Sequence, residues 1–166
     1  MELVEVYIQG IAVDKEREYP VVLLKAEEDD DILPIWIGPA EATSIYMALA
    51  HKTFERPLTH DLLQIVIDVL GVTVSKIEIT DIHKETYFAR IVLSRGEEVF
   101  YIDARPSDSI ALALRAKAPV FVEESLYRRY KRNLQIGTEE EAEFKDPTDD
   151  FGSTDLDETD WREEPD

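Results

Sequence analysis

The chain of 166 residues contains no cysteine, which removes a disulfide framework, a thiolate metal site and a thiol nucleophile in one stroke. Amide side chains are almost as scarce: Asn133 is the one asparagine, and glutamine stops at Gln9, Gln64 and Gln135. With 33% charged residues, this shortage of thermolabile side chains leans toward a thermophilic source. No apolar run approaches the roughly 20 residues that a membrane span requires. The opening Met-Glu-Leu-Val-Glu lacks the basic and apolar regions of a signal peptide. A soluble cytoplasmic protein without a membrane partner is therefore expected. Positive charge is also in short supply, with 18 Lys and Arg against 37 Asp and Glu, a net −19. A polyanionic ligand would be repelled unless cations were locally concentrated or a metal ion intervened.

The remaining composition is that of a globular protein, at 44% hydrophobic and 9% aromatic, with length enough for one substantial core. The acidic excess divides the chain. Residues 139–166 carry 14 acidic and 2 basic side chains, a net −12, leaving −7 for residues 1–138. Few large apolar residues interrupt the acidic stretch (Phe144, Phe151, Leu156, Trp161), so it cannot offset its own ordering entropy. The expected organisation is a folded domain over residues 1–137 followed by a disordered acidic tail over 138–166.

Within the domain, one pattern occurs twice. Ile35-Trp36-Ile37-Gly38-Pro39-Ala40-Glu41 leads into a helical stretch ending near Leu49. Tyr101-Ile102-Asp103-Ala104-Arg105-Pro106-Ser107-Asp108 leads into another ending near Arg115. Each is an apolar strand, a proline suited to the first helical position and a carboxylate in the first turn. A Ser-Ile step follows in both, at Ser44-Ile45 and Ser109-Ile110. Period-2 alternation predicts a strand from Val4 to Ile8, and further strands are expected at Tyr19 to Ala26 and Ile32 to Ile37, then Val72–Thr80, Thr86–Ser94 and Glu97–Asp103. The apolar phase changes near Lys76, which predicts a bulge, and Arg95-Gly96-Glu97 reads as a tight hairpin. Thr59 is the expected cap of a helix that Gly71 ends, with an apolar stripe so wide that the helix must be deeply buried or covered by a partner subunit. Val120–Val122 reads as a short strand and Glu123–Asn133 as a short basic helix. The fold class that results is α+β: a mixed, largely antiparallel sheet with helices packed on it and an internal strand-Pro-helix duplication.

Three constellations carry candidate chemistry, each beside a plainer structural role. At the second corner Asp103, Arg105 and Asp108 converge on one strand end, where carboxylates suit Mg²⁺ or Mn²⁺ and a guanidinium fork suits a phosphate oxygen. The plainer role is dipole stabilisation by Glu41 and Asp108, worth about 0.3–1 kcal/mol each. His60-Asp61 opens the wide-striped helix and offers a general base beside a metal-binding acid, or simply a capping turn. Arg128, Arg129, Lys131 and Arg132, interleaved with Tyr127 and Tyr130, suit phosphates and stacked bases, or form a solvated helix end. The acidic tail begins seven residues after Arg132 and is long enough to fold back on that helix as a phosphate mimic. The acidic run Glu27–Asp31 reads as a solvated turn, with a cation site as the alternative.

Leu33-Pro34-Ile35-Trp36-Ile37-Gly38 with Glu41, Arg56-Pro57-Leu58-Thr59-His60-Asp61-Leu62 and Asp103 through Arg115 together resemble the bifunctional nuclease (BFN) domain family over roughly residues 1–135. The chain looks like a bacterial stand-alone member. The resemblance implies an oligomeric α+β domain, with DNase and RNase character in some members, and brings no assigned active site. The expected activity is phosphodiester hydrolysis in DNA or RNA assisted by Mg²⁺ or Mn²⁺. In that scheme His60 moves the proton, Asp61, Asp103 and Asp108 share the metal, with Glu41 a weaker ligand, and Arg105 neutralises the phosphate. Arg128, Arg129, Lys131 and Arg132 would track the strand. The alternative is a non-catalytic interaction or regulatory module, a homo-oligomer and by preference a dimer, whose motifs merely build corners.

Overall fold

A computed structural model describes residues 1–133. The tail predicted over 138–166, and any contact it makes with the basic helix, lie outside the described residues. Two antiparallel three-stranded meanders form the bulk of the sheet: β1 (Leu3–Asp14), β2 (Tyr19–Lys25) and β3 (Ile32–Trp36), then β4 (Thr73–His83), β5 (Thr86–Arg95) and β6 (Glu98–Ala104). Each meander ends in a helix, α1 (Pro39–Leu49) after β3 and α3 (Pro106–Ala116) after β6, with α2 (Thr59–Val69) between the two halves. The strand β7 (Val120–Glu123) joins them, antiparallel to β1 and parallel to β4, giving the order β3-β2-β1-β7-β4-β5-β6. The short helix α4 (Glu124–Tyr130) closes the described chain.

The duplication read from the sequence is thus a structural repeat of strand, strand, strand and proline-started helix. Even the corners match in backbone: Gly38 (φ −72°, ψ 158°) and Arg105 (φ −70°, ψ 146°) are equivalent extended residues before Pro39 and Pro106.

Alternation explains the layers. On β2, Val22 and Leu24 enter the main core with Ile77, Ile79, Ile110, Leu112 and Val122, while Val21 and Leu23 join Ile32 in a smaller cluster on the opposite face. The β4–β5 register slips between Val74 and Lys76, where the phase change predicted a bulge. Gly96, at φ +59°, makes the two-residue β5–β6 turn possible without side-chain strain.

Two local expectations are revised. Leu58, not Thr59, precedes the first turn of α2, and the Asp61 carboxylate accepts its N–H at 2.9 Å, so the acid three residues on does the capping. The basic helix is shorter than its sequence pattern, because Lys131 turns extended and Arg132 pairs with Ile32 of β3. Buried Tyr127 holds α4 down by accepting the Ala26 N–H at 3.0 Å and donating to the Asp31 carbonyl at 3.1 Å.

Of α2 itself, Ile67 is buried, whereas Leu62, Leu63, Ile65, Val66, Val69 and Leu70 are exposed. Among the described residues, no helix is long and apolar enough to cross a membrane.

Candidate functional site

The first turns of α1, α2 and α3 bring their polar residues to one cleft of about 610 Å³, lined by Glu41, Ser44, Leu58, His60, Arg105 and Asp108 among others. At its centre His60 Nε2 lies 3.0 Å from Asp108 Oδ1, and His60 Nδ1 lies 2.7 Å from Ser44 Oγ. Arg105 spans the two corners of the repeat: its Nε and Nη2 donate to the Asp108 carboxylate at 2.7 and 3.1 Å, and its Nη1 meets Glu41 Oε1 at 2.9 Å. Gly38 makes room for this, since a Cβ there would run into the Glu41 carboxylate.

Burial pushes the Asp108 carboxyl upward, but the hydrogen bonds from Arg105 and His60 outweigh it and hold the group below the usual carboxylate range. An ionised Asp108 only accepts, so His60 Nε2 carries the hydrogen between them. In the neutral imidazole Nδ1 is then the acceptor, and the Ser44 hydroxyl donates to it. Ser44 is drawn away from the usual bond of a helical hydroxyl to the carbonyl four residues back, which Thr43 and Ser109 both make.

A second arginine braces the cleft from behind. Arg115, on the last turn of α3, donates from Nε to Asp61 Oδ1 at 2.6 Å and from its Nη atoms to the Ser44 and Ala111 carbonyls. Its side chain is 10% exposed, and it ties α3 to both other helices. Burial raises the Asp61 carboxyl, while Arg115 and the Leu58 N–H more than reverse that.

The sequence candidates therefore separate. His60, Arg105 and Asp108 meet, with Glu41 on the other arm of Arg105. Asp61 faces Arg115 and caps its helix. Asp103, on β6, stands across from Arg90 of β5 and lines a different depression, of about 400 Å³, with Tyr101 and Asp81. Asp61, Asp103 and Asp108 thus do not form one ligand set, and among the described residues no group of three or more His, Asp or Glu is placed to hold a metal ion.

The basic segment is remote as well. Arg132 pairs with Ile32 at the start of β3, whereas the cleft adjoins its far end past Trp36, four residue steps or about 13 Å along the strand. Lys131 is held by Asp29 at 2.6 Å and Asp31 at 3.3 Å, so the acidic run closes on a lysine of this chain. Arg128 pairs with Glu124, and Arg129 lies over the Tyr130 ring.

Sequence reasoning passed over Ser44 and Arg115 as site residues. Both stood inside the helical patterns that follow the two corners, and nothing in their spacing links residue 44 to 60 or 61 to 115.

A three-stranded meander that ends in a proline-started helix, repeated, with a histidine and two acids gathered at the helix starts, agrees with what comparison shows. The family model for the bifunctional nuclease domain matches residues 22–135. The chain belongs to the bifunctional nuclease domain family. An uncharacterised protein of Mycobacterium tuberculosis is 38% identical over 138 residues, covering 83% of this chain and 82% of that protein. Bifunctional nuclease 1 of Oryza sativa subsp. indica is 26% identical over 150 residues, 89% of this chain but 45% of the plant protein. Bifunctional nuclease 1 of Arabidopsis thaliana is 27% identical over 132 residues, 77% of this chain and 40% of the plant protein. The chain spans less than half of these plant proteins.

Proposed function

We propose that the cleft hydrolyses phosphodiester bonds in DNA or RNA. The observation that carries this reading is the convergence of Glu41, His60, Arg105 and Asp108 at three helix starts, in a chain of the bifunctional nuclease domain family. Asp108 orients His60 and stabilises the imidazolium formed when it accepts a proton. Arg105 differs from Arg115 in being 65% exposed, so it is free to turn a donor toward a phosphate oxygen. Two carboxylates against one guanidinium would leave the site negative. Three helix starts, each equivalent to about +0.5 of a charge, compensate and make room for an anion.

The residues fit a resident divalent ion poorly. Arg105 engages both Glu41 and Asp108, His60 takes a further Asp108 bond, and Asp61 and Asp103 point elsewhere in the fold.

The test is cleavage of labelled single-stranded and duplex DNA and RNA, with Mg²⁺, with Mn²⁺ and with a chelator, beside Asp108→Asn and His60→Ala purified identically. Cleavage lost in both variants, with each still folded by circular dichroism at the assay temperature, is the expected result. Cleavage that survives in both would place the activity elsewhere.

The exposed apolar face of α2 favours a second role. We infer that a second copy of the chain covers it, as a dimer. Six large apolar side chains on one 11-residue helix and the turn after it have no counterpart within the described residues. If the cleft proves inert, this dimer is the basis of a non-catalytic interaction module.

A further inference from the structure

We infer that Ser44 is the nucleophile of the cleft, with His60 as its base and Asp108 as the group that positions His60. The inference rests on the phosphodiester reading above and deepens it. Both nitrogens of His60 are already engaged, Nε2 by Asp108 and Nδ1 by Ser44. For His60 to activate water, one of these partners would have to be displaced. The proton it can take without rearrangement is that of the Ser44 hydroxyl, 2.7 Å away.

Three further features agree. Ser44 lines the cleft with Arg105, so its oxygen opens to the same space as the phosphate-binding arm. Its hydroxyl forgoes the bond within its own helix that Thr43 and Ser109 make. Its carbonyl is pinned by both Nη atoms of Arg115, which anchors the backbone beneath a side chain that must stay aimed at His60. The order of atoms is reversed relative to the common serine protease arrangement, where the serine meets Nε2 and the aspartate Nδ1. Chemically the reversal is neutral, because either nitrogen serves as base once the other holds the hydrogen.

The reaction has two displacements. In the first, Ser44 Oγ attacks phosphorus and its proton passes to His60 Nδ1. The Oγ–P bond forms, and the leaving oxygen departs with the bonding pair and takes a proton from solvent. In the second, water attacks from the side the leaving group vacated and gives up a proton to solvent. The P–Oγ bond breaks with its electron pair returning to Ser44, which recovers the proton held by His60. The sum is hydrolysis, and two inversions give retention at phosphorus.

The experiment uses the full chain and an oligonucleotide with one chiral phosphorothioate linkage, cleaved in ¹⁸O-labelled water. Acid-quenched samples are digested and searched by mass spectrometry for a nucleotide adduct on Ser44. Ser44→Ala and Ser44→Cys are assayed alongside, with melting temperatures to confirm folding. A fluorophosphonate probe applied to wild type and His60→Ala reports Ser44 activation without turnover. The expected results are retention, an adduct on Ser44, a loss of at least 100-fold in Ser44→Ala and probe labelling that requires His60. Inversion together with cleavage by Ser44→Ala would overturn the nucleophile and leave the nuclease reading intact. Labelling of Ser44 in a wild-type protein that cleaves no nucleic acid would uphold the activated serine and overturn the phosphodiester reading. Absence of both labelling and cleavage would overturn both.

Discussion

Replacing Arg115 by alanine should cost far more stability than its place near the end of a helix suggests. The guanidinium makes four hydrogen bonds, to Asp61 at 2.6 Å, to the Ala111 carbonyl at 2.8 Å and twice to the Ser44 carbonyl at 3.3 Å. Removing one member of a buried pair typically costs about 3–5 kcal/mol, because the group left behind loses its partner without regaining water. Here Asp61 is 37% exposed and can be resolvated in part, which points to the lower end, about 3 kcal/mol. For the 133 described residues, an unfolding entropy of about 2.1 cal/mol/K per residue converts this to a fall in Tm of about 10 °C. Arg115→Lys should recover less than half, since an ammonium cannot reach a carboxylate and two carbonyls from one rigid plane. Calorimetry of Arg115→Ala, Asp61→Ala and the double variant gives the coupling directly, and above about 1 kcal/mol is expected. A Tm for Arg115→Ala within about 3 °C of wild type, or a cycle with no coupling, would refute the idea that this arginine binds the three helices together.

Other expectations follow from the same geometry. The folded Asp108 carboxyl is held below its unfolded value of 3.8, so its contribution to stability is present above that pH and is lost as pH falls through the folded value. Denaturant titrations from pH 7 to pH 2 should therefore show a shallower acid-side decline for Asp108→Asn than for wild type, and parallel curves would argue against the Arg105 and His60 bonds. Gly38→Ala should cost less than about 1 kcal/mol, since the obstructing atoms belong to the end of a flexible side chain, yet should displace Glu41 from Arg105. A crystal structure of that variant checks the displacement, and an unmoved Glu41 would contradict it. Val66→Glu with Val69→Lys should make the protein monomeric in analytical ultracentrifugation while leaving Tm at low protein concentration nearly unchanged. A wild-type protein already monomeric at tens of micromolar would contradict the covered helix.

The fold was legible where the signal is local. Alternation from Val4 to Ile8, the phase change at Lys76, glycine at Gly71 and Gly96, and prolines at Pro39 and Pro106 are each consequences of backbone geometry within a few residues. The misplaced cap of α2 shows the limit of that reasoning. Thr59 has the right chemistry for a cap, but the carboxylate of Asp61 reaches the Leu58 N–H and removes the need for it. The basic run from Arg128 to Arg132 shows a different limit. A charge pattern does not disclose its counterions, and Lys131 finds its partners about a hundred residues earlier, at Asp29 and Asp31.

The same division runs through the site. His60, Arg105 and Asp108 were visible in the sequence because each stands at a helix start, where residue type and position alone signal a special environment. Their assembly was not visible, since Asp108 lies 48 residues from His60 and the two meet only because α1, α2 and α3 pack with their first turns together. Asp103 was adjacent to that group in sequence and is excluded from it in space, because it still belongs to β6 and lines the depression beside Tyr101 and Asp81, whereas Arg105 and Asp108 lie past the strand end at the start of α3. Ser44 is the converse case, an ordinary helical serine until tertiary packing sets a histidine beside it. The sequence by itself determined the strands, the repeated proline-started helices and the polar residues at the corners, all encoded by short-range periodicity and capping. Only the tertiary structure decided which of those residues share a cleft, because the partners of a side chain are chosen by helix packing over distances that no local pattern records.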